Sequence, residues 1–189
     1  MKYNRKKGTF GYRKYHRNMQ CAVVAILAAA ILIQLGARQL TAAQSFKNVL
    51  TVTAILTVLP MANVASPLLA AWRYKSISRE FYEACRPYEE KVPMLYELII
   101  TSKEMILAVD AAAVHPSGVY LYCPGKTDVK KAEQFLNSML KSWKLDGNAR
   151  VITEENVFFK RLSSLKPMTE EEDDGSVDYT VNLLKNMSM

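Results

Sequence analysis

Three cysteines and two histidines are the residues of this chain that most directly suggest metal binding or nucleophilic chemistry. No two cysteines form a CxxC pair, and His16 and His115 stand at no metal-ligand spacing from Cys21, Cys85 or Cys123. This pattern argues against zinc. Cys123 is a candidate nucleophile, but no His–Asp set accompanies it. A buried or strand-end thiol is the alternative, and we expect His115 to lie in an exposed turn.

The elements that would position these residues can be traced from residue 73 onward. Hydrophobic periodicity and turn residues predict helix, three strands, helix, strand and helix, with strands over residues 94–101, 105–114, 119–123 and 150–153. A helix is predicted over residues 74–90. The second and third strands must form an antiparallel hairpin, and the fourth can pair in parallel after a helical crossover. We therefore expect a small α/β domain with a mixed sheet.

The helix after the third strand has the cleanest apolar pattern. Thr127 or Asp128 can cap its start, and Gly147 stands where a C-terminal cap glycine is expected. Thr153 is expected to cap the last helix. The apolar residues of the stripe, at i, i+3 and i+4 spacing, are Val129, Ala132, Phe135, Leu136, Met139, Leu140 and Trp143.

The segment VDAAAVHPSGVYLY, residues 109–122, resembles the core of the nuclease-related domain (NERD). That family belongs to the restriction-endonuclease-like, PD-(D/E)xK class. It commonly shows a hydrophobic residue followed by Asp, a strand, a P-x-G turn and the run V-F-V-I-E-T-K. The predicted order of elements also resembles that core over residues 75–165. The resemblance implies a nuclease-like α/β fold.

The resemblance also implies where a catalytic site would lie. Nucleases of this class hold Mg²⁺ with Asp and Glu, and a lysine steadies the attacking water. Asp110 matches the family aspartate and is the candidate metal ligand, but the glutamate falls on Cys123 and the lysine on Gly125. Lys126 follows the position of the family lysine by one residue, and a β-bulge could bring its side chain to the correct face. It is therefore the second catalytic candidate. We therefore expect an inactive domain without a cofactor. It would bind Mg²⁺ only under the alternative in which the protein is a nuclease.

Two uncharged apolar stretches, residues 19–36 and 49–71, precede this domain. Each is close to the ~20 residues that a helix needs to cross a hydrocarbon core of about 30 Å. They predict a two-helix transmembrane hairpin over residues 19–72 with a loop at residues 37–48. Alternatively, the first stretch is a signal peptide that is cleaved. Asn63 should form a hydrogen bond within the helix pair or a dimer.

Basic residues are concentrated at the start of the chain. Seven Lys and Arg residues and no acid precede Met19, whereas all 18 acidic residues lie beyond residue 72. Because Lys and Arg collect on cytoplasmic flanks, we expect a multi-pass protein of the cell membrane with both termini cytoplasmic. The basic arm, residues 1–18, is expected to meet anionic lipid. Nucleic-acid binding by this arm is the less favoured alternative.

The remaining boundaries divide the cytoplasmic part into an α/β domain, residues 73–166, and a tail, residues 167–189, with an acidic linker and a short helix. That helix is expected to dock on the domain, or else to bind a partner. This domain organisation predicts a membrane-anchored binding or scaffold protein with a membrane-protein partner or a homo-oligomeric state. A membrane-tethered Mg²⁺-dependent nuclease and a small subunit of a transport or envelope complex are the alternatives.

Overall fold

The computed structural model describes residues 6–102, 105–168 and 175–189. The chain divides into two compact units. One is a helical unit, residues 14–75, and the other combines the start of the chain, up to Arg13, with everything from Ser76 onward. The predicted arm and tail are therefore not separate from the α/β domain, because residues 6–13 and 175–189 belong to the same unit as its sheet.

Two long helices make up the helical unit. Helix α1 spans Tyr12–Leu40 and helix α2 spans Gln44–Ala71, so each contains one of the predicted apolar stretches. Both are long and apolar enough to cross a membrane. The predicted loop at residues 37–48 is too long, since only residues 41–43 separate the two helices. The helices continue into the polar flanks because nothing there breaks their backbone hydrogen bonding.

The apolar side chains of these helices are largely uncovered. Ile26, Ile33 and Leu59 are 68%, 71% and 62% exposed, and no residue in the most apolar part of α1 is buried. Arg17 lies 5.8 Å from the ring of Trp72, so the start of α1 is close to the residue that follows α2. The two helices therefore form an antiparallel hairpin, and they do not form the core of a soluble fold.

The other unit contains a four-stranded mixed sheet, as predicted. Its strands are β1 (Met94–Thr101), β2 (Ile106–His115), β3 (Gly118–Tyr122) and β4 (Ala149–Ile152), in the spatial order β1-β2-β3-β4. The β1–β2 and β2–β3 pairs are antiparallel, and β3 pairs with β4 in parallel. Each strand lies within one residue of its predicted bounds, because apolar runs between clear turn residues leave little freedom in their placement.

Helices cover both faces of this sheet. Helices α4 (Val129–Ser142) and α6 (Ser176–Met187) pack with the sheet around one buried cluster, and α3 (Arg79–Cys85) and α5 (Glu155–Ser164) contribute to a second. Because α6 adds its apolar side chains to the first cluster, the C-terminal helix docks on the domain, the arrangement favoured by its sequence. The acidic run of the predicted linker falls on residues 169–174, outside the described residues.

Helix α3 is shorter than the sequence predicts. It begins only at Arg79, where the hydroxyl of Ser78 accepts the N–H of Phe81 at 3.1 Å. After Cys85 the chain makes one 3₁₀ turn, which contains Pro87. The predicted helix over residues 74–90 is therefore wrong at both ends, because a serine cap starts it late and a proline ends it early.

The start of α4 is capped by Asp128, whose carboxylate accepts the N–H three residues along at 3.2 Å. Asp128 is one of the two residues predicted for this role. The prediction for α5 is wrong, since Glu154, without a side-chain cap bond, takes the N-cap position instead of Thr153.

The end of α4 differs from the prediction. Lys144 adopts a left-handed φ of 59°, and its N–H donates to the carbonyl of Lys141 at 3.0 Å. The N–H of Leu145 donates to the carbonyl of Leu140 at 3.0 Å. These two bonds form a Schellman motif, so a lysine ends the helix and Gly147 does not.

Burial along α4 follows a narrower stripe than predicted. Leu136 and Leu140 are each 1% exposed, whereas Phe135 is half-buried and Trp143 is 52% exposed. Trp143 occupies the C-cap, where the helical periodicity ends, so it no longer points with the stripe. The largest losses of stability on truncation are therefore expected at the leucines rather than at Phe135.

Candidate functional site

The most unusual feature of the α/β unit is a pair of acidic residues inside the sheet. Glu97 of β1 and Asp110 of β2 lie opposite each other at the one interruption of the β1–β2 ladder, which is paired on both sides of this point. Glu97 is 2% exposed and adopts a φ of 57°. A left-handed glutamate costs about 1–2 kcal/mol, so its surroundings must hold it in place.

Both strands lose their regular alternation at this level. Leu95 and Leu98 contribute to the same buried cluster although they are three residues apart, and the same holds for Val109 and Ala112. A regular strand would place residues three apart on opposite faces. Both strands change the face of their side chains at the level of Glu97. The residue pairing is therefore the same on both sides, and only the Glu97–Asp110 pair is missing from the ladder.

Arg13 fills this opening. Its guanidinium Nη1 donates to Asp110 Oδ1 at 3.0 Å, and Nη2 donates to the carbonyls of Leu98 and Val109 at 3.2 and 3.1 Å. The side chains of Arg13 and Asp110 are 6% and 20% exposed. The arginine therefore donates to the backbone of both strands beside the interruption, and it balances the charge of Asp110.

The Glu97 carboxylate binds two separate parts of the backbone. Its Oε2 accepts the N–H of Arg13 at 2.8 Å, and its Oε1 accepts the N–H of Ile77 at 3.1 Å. Arg13 immediately precedes the helical unit, and Ile77 lies just after it. One buried carboxylate therefore holds the chain at the points where it leaves the α/β unit and returns to it.

The segment around Arg13, residues 6–13, forms an amino-terminal strap along β1. The N–H of Tyr96 donates to the carbonyl of Gly8 at 2.9 Å, and Phe10 stacks on Tyr82 with ring centroids 4.5 Å apart. Gly8 has a φ of 81°, and a Cβ added there would lie 2.8 Å from Leu95. The strap therefore needs glycine at this position, both for its backbone conformation and for its close approach to β1.

Burial sets the acidity of the groups beside this site. Desolvation raises the pKa of Asp110 above its ordinary value, and the opposing effect of Arg13 is smaller. Desolvation also raises the pKa of the Cys123 thiol, and the Asp110 charge raises it further, while Arg13 lowers it. Cys123 is 1% exposed. Its thiol is therefore protonated at neutral pH and is a poor nucleophile.

The structure does not bring the two predicted catalytic residues together. Asp110 is bound by Arg13, whereas Lys126 lies exposed in the loop between β3 and α4. Within the described ranges, no hydrogen bond or ion pair connects Lys126 with Asp110. Residues 6–102, 105–168 and 175–189 hold no group of three or more His, Cys, Asp and Glu side chains placed for a metal ion.

Sequence reasoning missed Arg13 and Glu97. The sequence places Arg13 in the basic arm, and its charge alone gives no sign that it enters the sheet. Glu97 could have been recognised from the sequence, since it is the only acid in the otherwise apolar strand MLYELIIT. A lone carboxylate buried in a strand must have a partner, so it pointed to a basic residue or free N–H groups elsewhere.

No family model, curated protein or solved structure matches this chain.

Proposed function

We propose that this protein is a membrane-anchored binding or scaffold protein whose α/β domain does not hydrolyse nucleic acid. The observation that carries the proposal is the ion pair between Arg13 and Asp110. The nuclease resemblance assigns the Asp110 carboxylate to Mg²⁺, but this carboxylate forms an ion pair with Arg13.

The chemistry around Asp110 supports this proposal. A hydrolytic Mg²⁺ site needs several hard oxygen ligands with room for water. Here one Asp110 oxygen accepts a guanidinium donor, and the position that resembles the family glutamate holds the protonated, soft thiol of Cys123. Glu97, the nearest other acid in the register, uses both oxygens for backbone N–H groups. The domain is best explained as a nuclease-like fold that has lost its metal site.

The helical hairpin is the proposed membrane anchor. Its exposed apolar side chains need a nonpolar environment. In water they would form an exposed hydrocarbon surface of roughly hundreds of square ångströms. Arg17 and Trp72 lie together near the ends of the two helices, and these residue types are common at the membrane–water interface. The excess of Lys and Arg before Met19 supports an orientation with both termini in the cytoplasm.

The Glu97 contacts lie on both sides of the proposed anchor in the chain. One carboxylate binds the backbone of Arg13, before the anchor, and of Ile77, after it, so both ends of the domain's chain are held within the domain itself. The lipid bilayer, anionic lipid near the first helix, and a membrane protein or a second copy of this chain are the proposed partners.

Nuclease activity is tested with the full chain in lipid nanodiscs. We expect linear and supercoiled DNA to stay intact with Mg²⁺ or Mn²⁺. Cleavage that disappears in Asp110→Asn but persists in the exposed control Asp146→Asn would overturn the proposal and favour the nuclease.

The binding role is tested by photo-crosslinking in cells. A crosslinker is placed at Trp143 or Tyr179, which are 52% and 45% exposed on the domain, or at Ile33 in the hairpin. A scaffold domain should give discrete adducts from the first two sites. Adducts from Ile33 alone would instead favour a small subunit of a larger membrane complex.

The orientation is tested by labelling single cysteines in a cysteine-free chain. Asp146→Cys, on the domain, should resist an impermeant thiol reagent in intact cells, whereas Ala42→Cys, between the helices, should react. Labelling of Asp146→Cys before lysis contradicts the proposed topology.

A further inference from the structure

A second cluster of polar residues lies at the β4 edge of the sheet, away from Arg13, Glu97 and Asp110. It is a pocket of about 350 Å³ whose polar wall includes Tyr120, Asn148, Arg150 and Arg161. Tyr120 and Arg150 are register neighbours on the parallel strands β3 and β4. We call this the basic pocket, because it holds two guanidinium groups that come from different elements.

Arg161 is fixed in the basic pocket by Tyr120. Its Cζ lies 4.4 Å from the centroid of the Tyr120 ring, and its Nη2 donates to the Tyr120 hydroxyl. The ring of Tyr120 is buried, and its hydroxyl also shares a 3.2 Å hydrogen bond with Ser117 Oγ. The guanidinium of Arg161 is therefore held in place before any ligand arrives, which lowers the entropic cost of binding.

The two arginines of the basic pocket have no acidic partner within the described parts of the chain. Among the described residues, neither Arg150 nor Arg161 forms an ion pair, although Arg13 and Arg79 both do. Two like charges that line one pocket repel each other. A bound anion with two charges would relieve this repulsion, and it could accept hydrogen bonds from both planar guanidinium groups.

The geometry points to the basic pocket as a binding site for a small phosphate monoester. The phosphate would lie between Arg150 and Arg161, since a dianion with three terminal oxygens can accept from both. Ile152 and Val157 also line the pocket and offer an apolar wall for the carbon part of the ligand. This site adds a ligand class to the proposed binding role, but it rests on other residues than those that argue against hydrolysis.

Such a phosphate can come from a soluble metabolite or from a lipid headgroup, because the chain is proposed to lie on a membrane. The test therefore has two arms, both with the full chain in nanodiscs. In the first, glycerol 1-phosphate and inorganic phosphate are titrated against nanodiscs of phosphatidylcholine and followed by calorimetry. In the second, phosphatidic acid is incorporated in the nanodisc, and competition with glycerol 1-phosphate is measured.

Three substitutions make the test specific. Arg150→Gln and Arg161→Gln should each weaken binding by about tenfold or more, as expected for loss of a charge-assisted hydrogen bond. Tyr120→Phe removes the hydroxyl that positions Arg161 and should weaken binding less. Lys160→Gln is the matched control, since it removes one positive charge from an exposed position on the same helix.

The outcomes separate clearly. Saturable binding of glycerol 1-phosphate that falls in both arginine variants but not in Lys160→Gln supports the site, and competition by phosphatidic acid identifies the lipid source. Absence of binding by either phosphate source, or an equal loss in Lys160→Gln, overturns the inference. Should Arg161→Gln fail to fold, the exposed Arg150→Gln decides alone. None of these results depends on whether the chain cleaves DNA.

Discussion

The carboxylate of Glu97 accepts the backbone N–H of Arg13 at 2.8 Å, although 84 residues separate them in the chain. Its second oxygen accepts the N–H of Ile77, so one side chain binds the backbone of the α/β unit on both sides of residues 14–75 in the chain. The sequence predicts a domain that begins after the second apolar stretch, but Gly8 and Arg13, near the start of the chain, also bind its sheet.

Substitution of Glu97 by Gln should destabilise the α/β unit. The amide keeps one acceptor oxygen but directs an NH₂ group at a backbone donor, and it removes the charge from both hydrogen bonds. We expect a loss of about 2–3 kcal/mol in the free energy of unfolding, measured by urea denaturation in detergent. Glu83→Gln is the control, because Glu83 forms only an exposed ion pair and should change stability by no more than about 0.5 kcal/mol. Equal effects of the two substitutions would contradict the role of Glu97.

Removal of the Arg13 side chain should cost about 2–4 kcal/mol at neutral pH. This is somewhat below the range for a fully buried pair, because Asp110 is 20% exposed. The double variant Arg13→Ala, Asp110→Ala should recover part of the loss, since it no longer leaves an unpaired buried carboxylate. Strict additivity of the two single variants in a double-mutant cycle would show that the ion pair contributes nothing.

The cost of Arg13→Ala should depend on pH. Burial raises the pKa of Asp110 in the folded state above its ordinary value, so the folded protein binds this proton more tightly than the unfolded chain. The contribution of Asp110 to stability therefore falls as pH rises through the window between the two pKa values. Loss of Arg13 should raise the pKa of Asp110 in the folded state further, so this pH window should extend to higher pH. We expect the effect of Arg13→Ala to be small near pH 4 and to grow toward pH 7, and Asp110→Asn should abolish this growth.

Both cysteines of the α/β unit should be unreactive in the folded protein. Burial raises the pKa of Cys85 to about 12, and it raises that of Cys123 as well. In a Cys21→Ser background, a disulfide reagent should modify neither thiol at neutral pH until denaturant unfolds the chain. A cysteine introduced at the exposed position Asp146 serves as the positive control. Rapid modification of the native protein would show that one of the buried thiols is accessible.

The amino-terminal strap should be required for full stability of the domain. A fragment that starts near Lys75 lacks Arg13 and leaves Asp110 and one oxygen of Glu97 without their partners, so it should unfold at lower urea than the full chain. A chain that joins residues 1–13 to residues 76–189 through a flexible Gly-Ser linker should regain the lost stability. Equal midpoints for the fragment and the linked chain would show that the strap does not stabilise the sheet.

The sequence by itself determined the helices and strands of this protein and their order. Apolar runs of membrane-spanning length, strands bounded by turn residues, and the stripe of α4 are local patterns, and each is set by the burial of residues near one another in the chain. The same local patterns failed at helix ends, where Lys144 and Glu154 hold the positions predicted for Gly147 and Thr153. Capping depends on a few hydrogen bonds whose alternatives differ by only about 1 kcal/mol.

Only the tertiary structure showed that Asp110 forms an ion pair with Arg13. Its position in a hairpin is compatible with metal binding, with a turn or with an ion pair, and the choice depends on what occupies the opening in the sheet. Arg13 occupies that opening and is bound by Glu97, yet these two residues are separated in the chain by the entire helical hairpin. No periodicity or spacing links residues so far apart, because their pairing results from tertiary contacts between the start of the chain and the sheet.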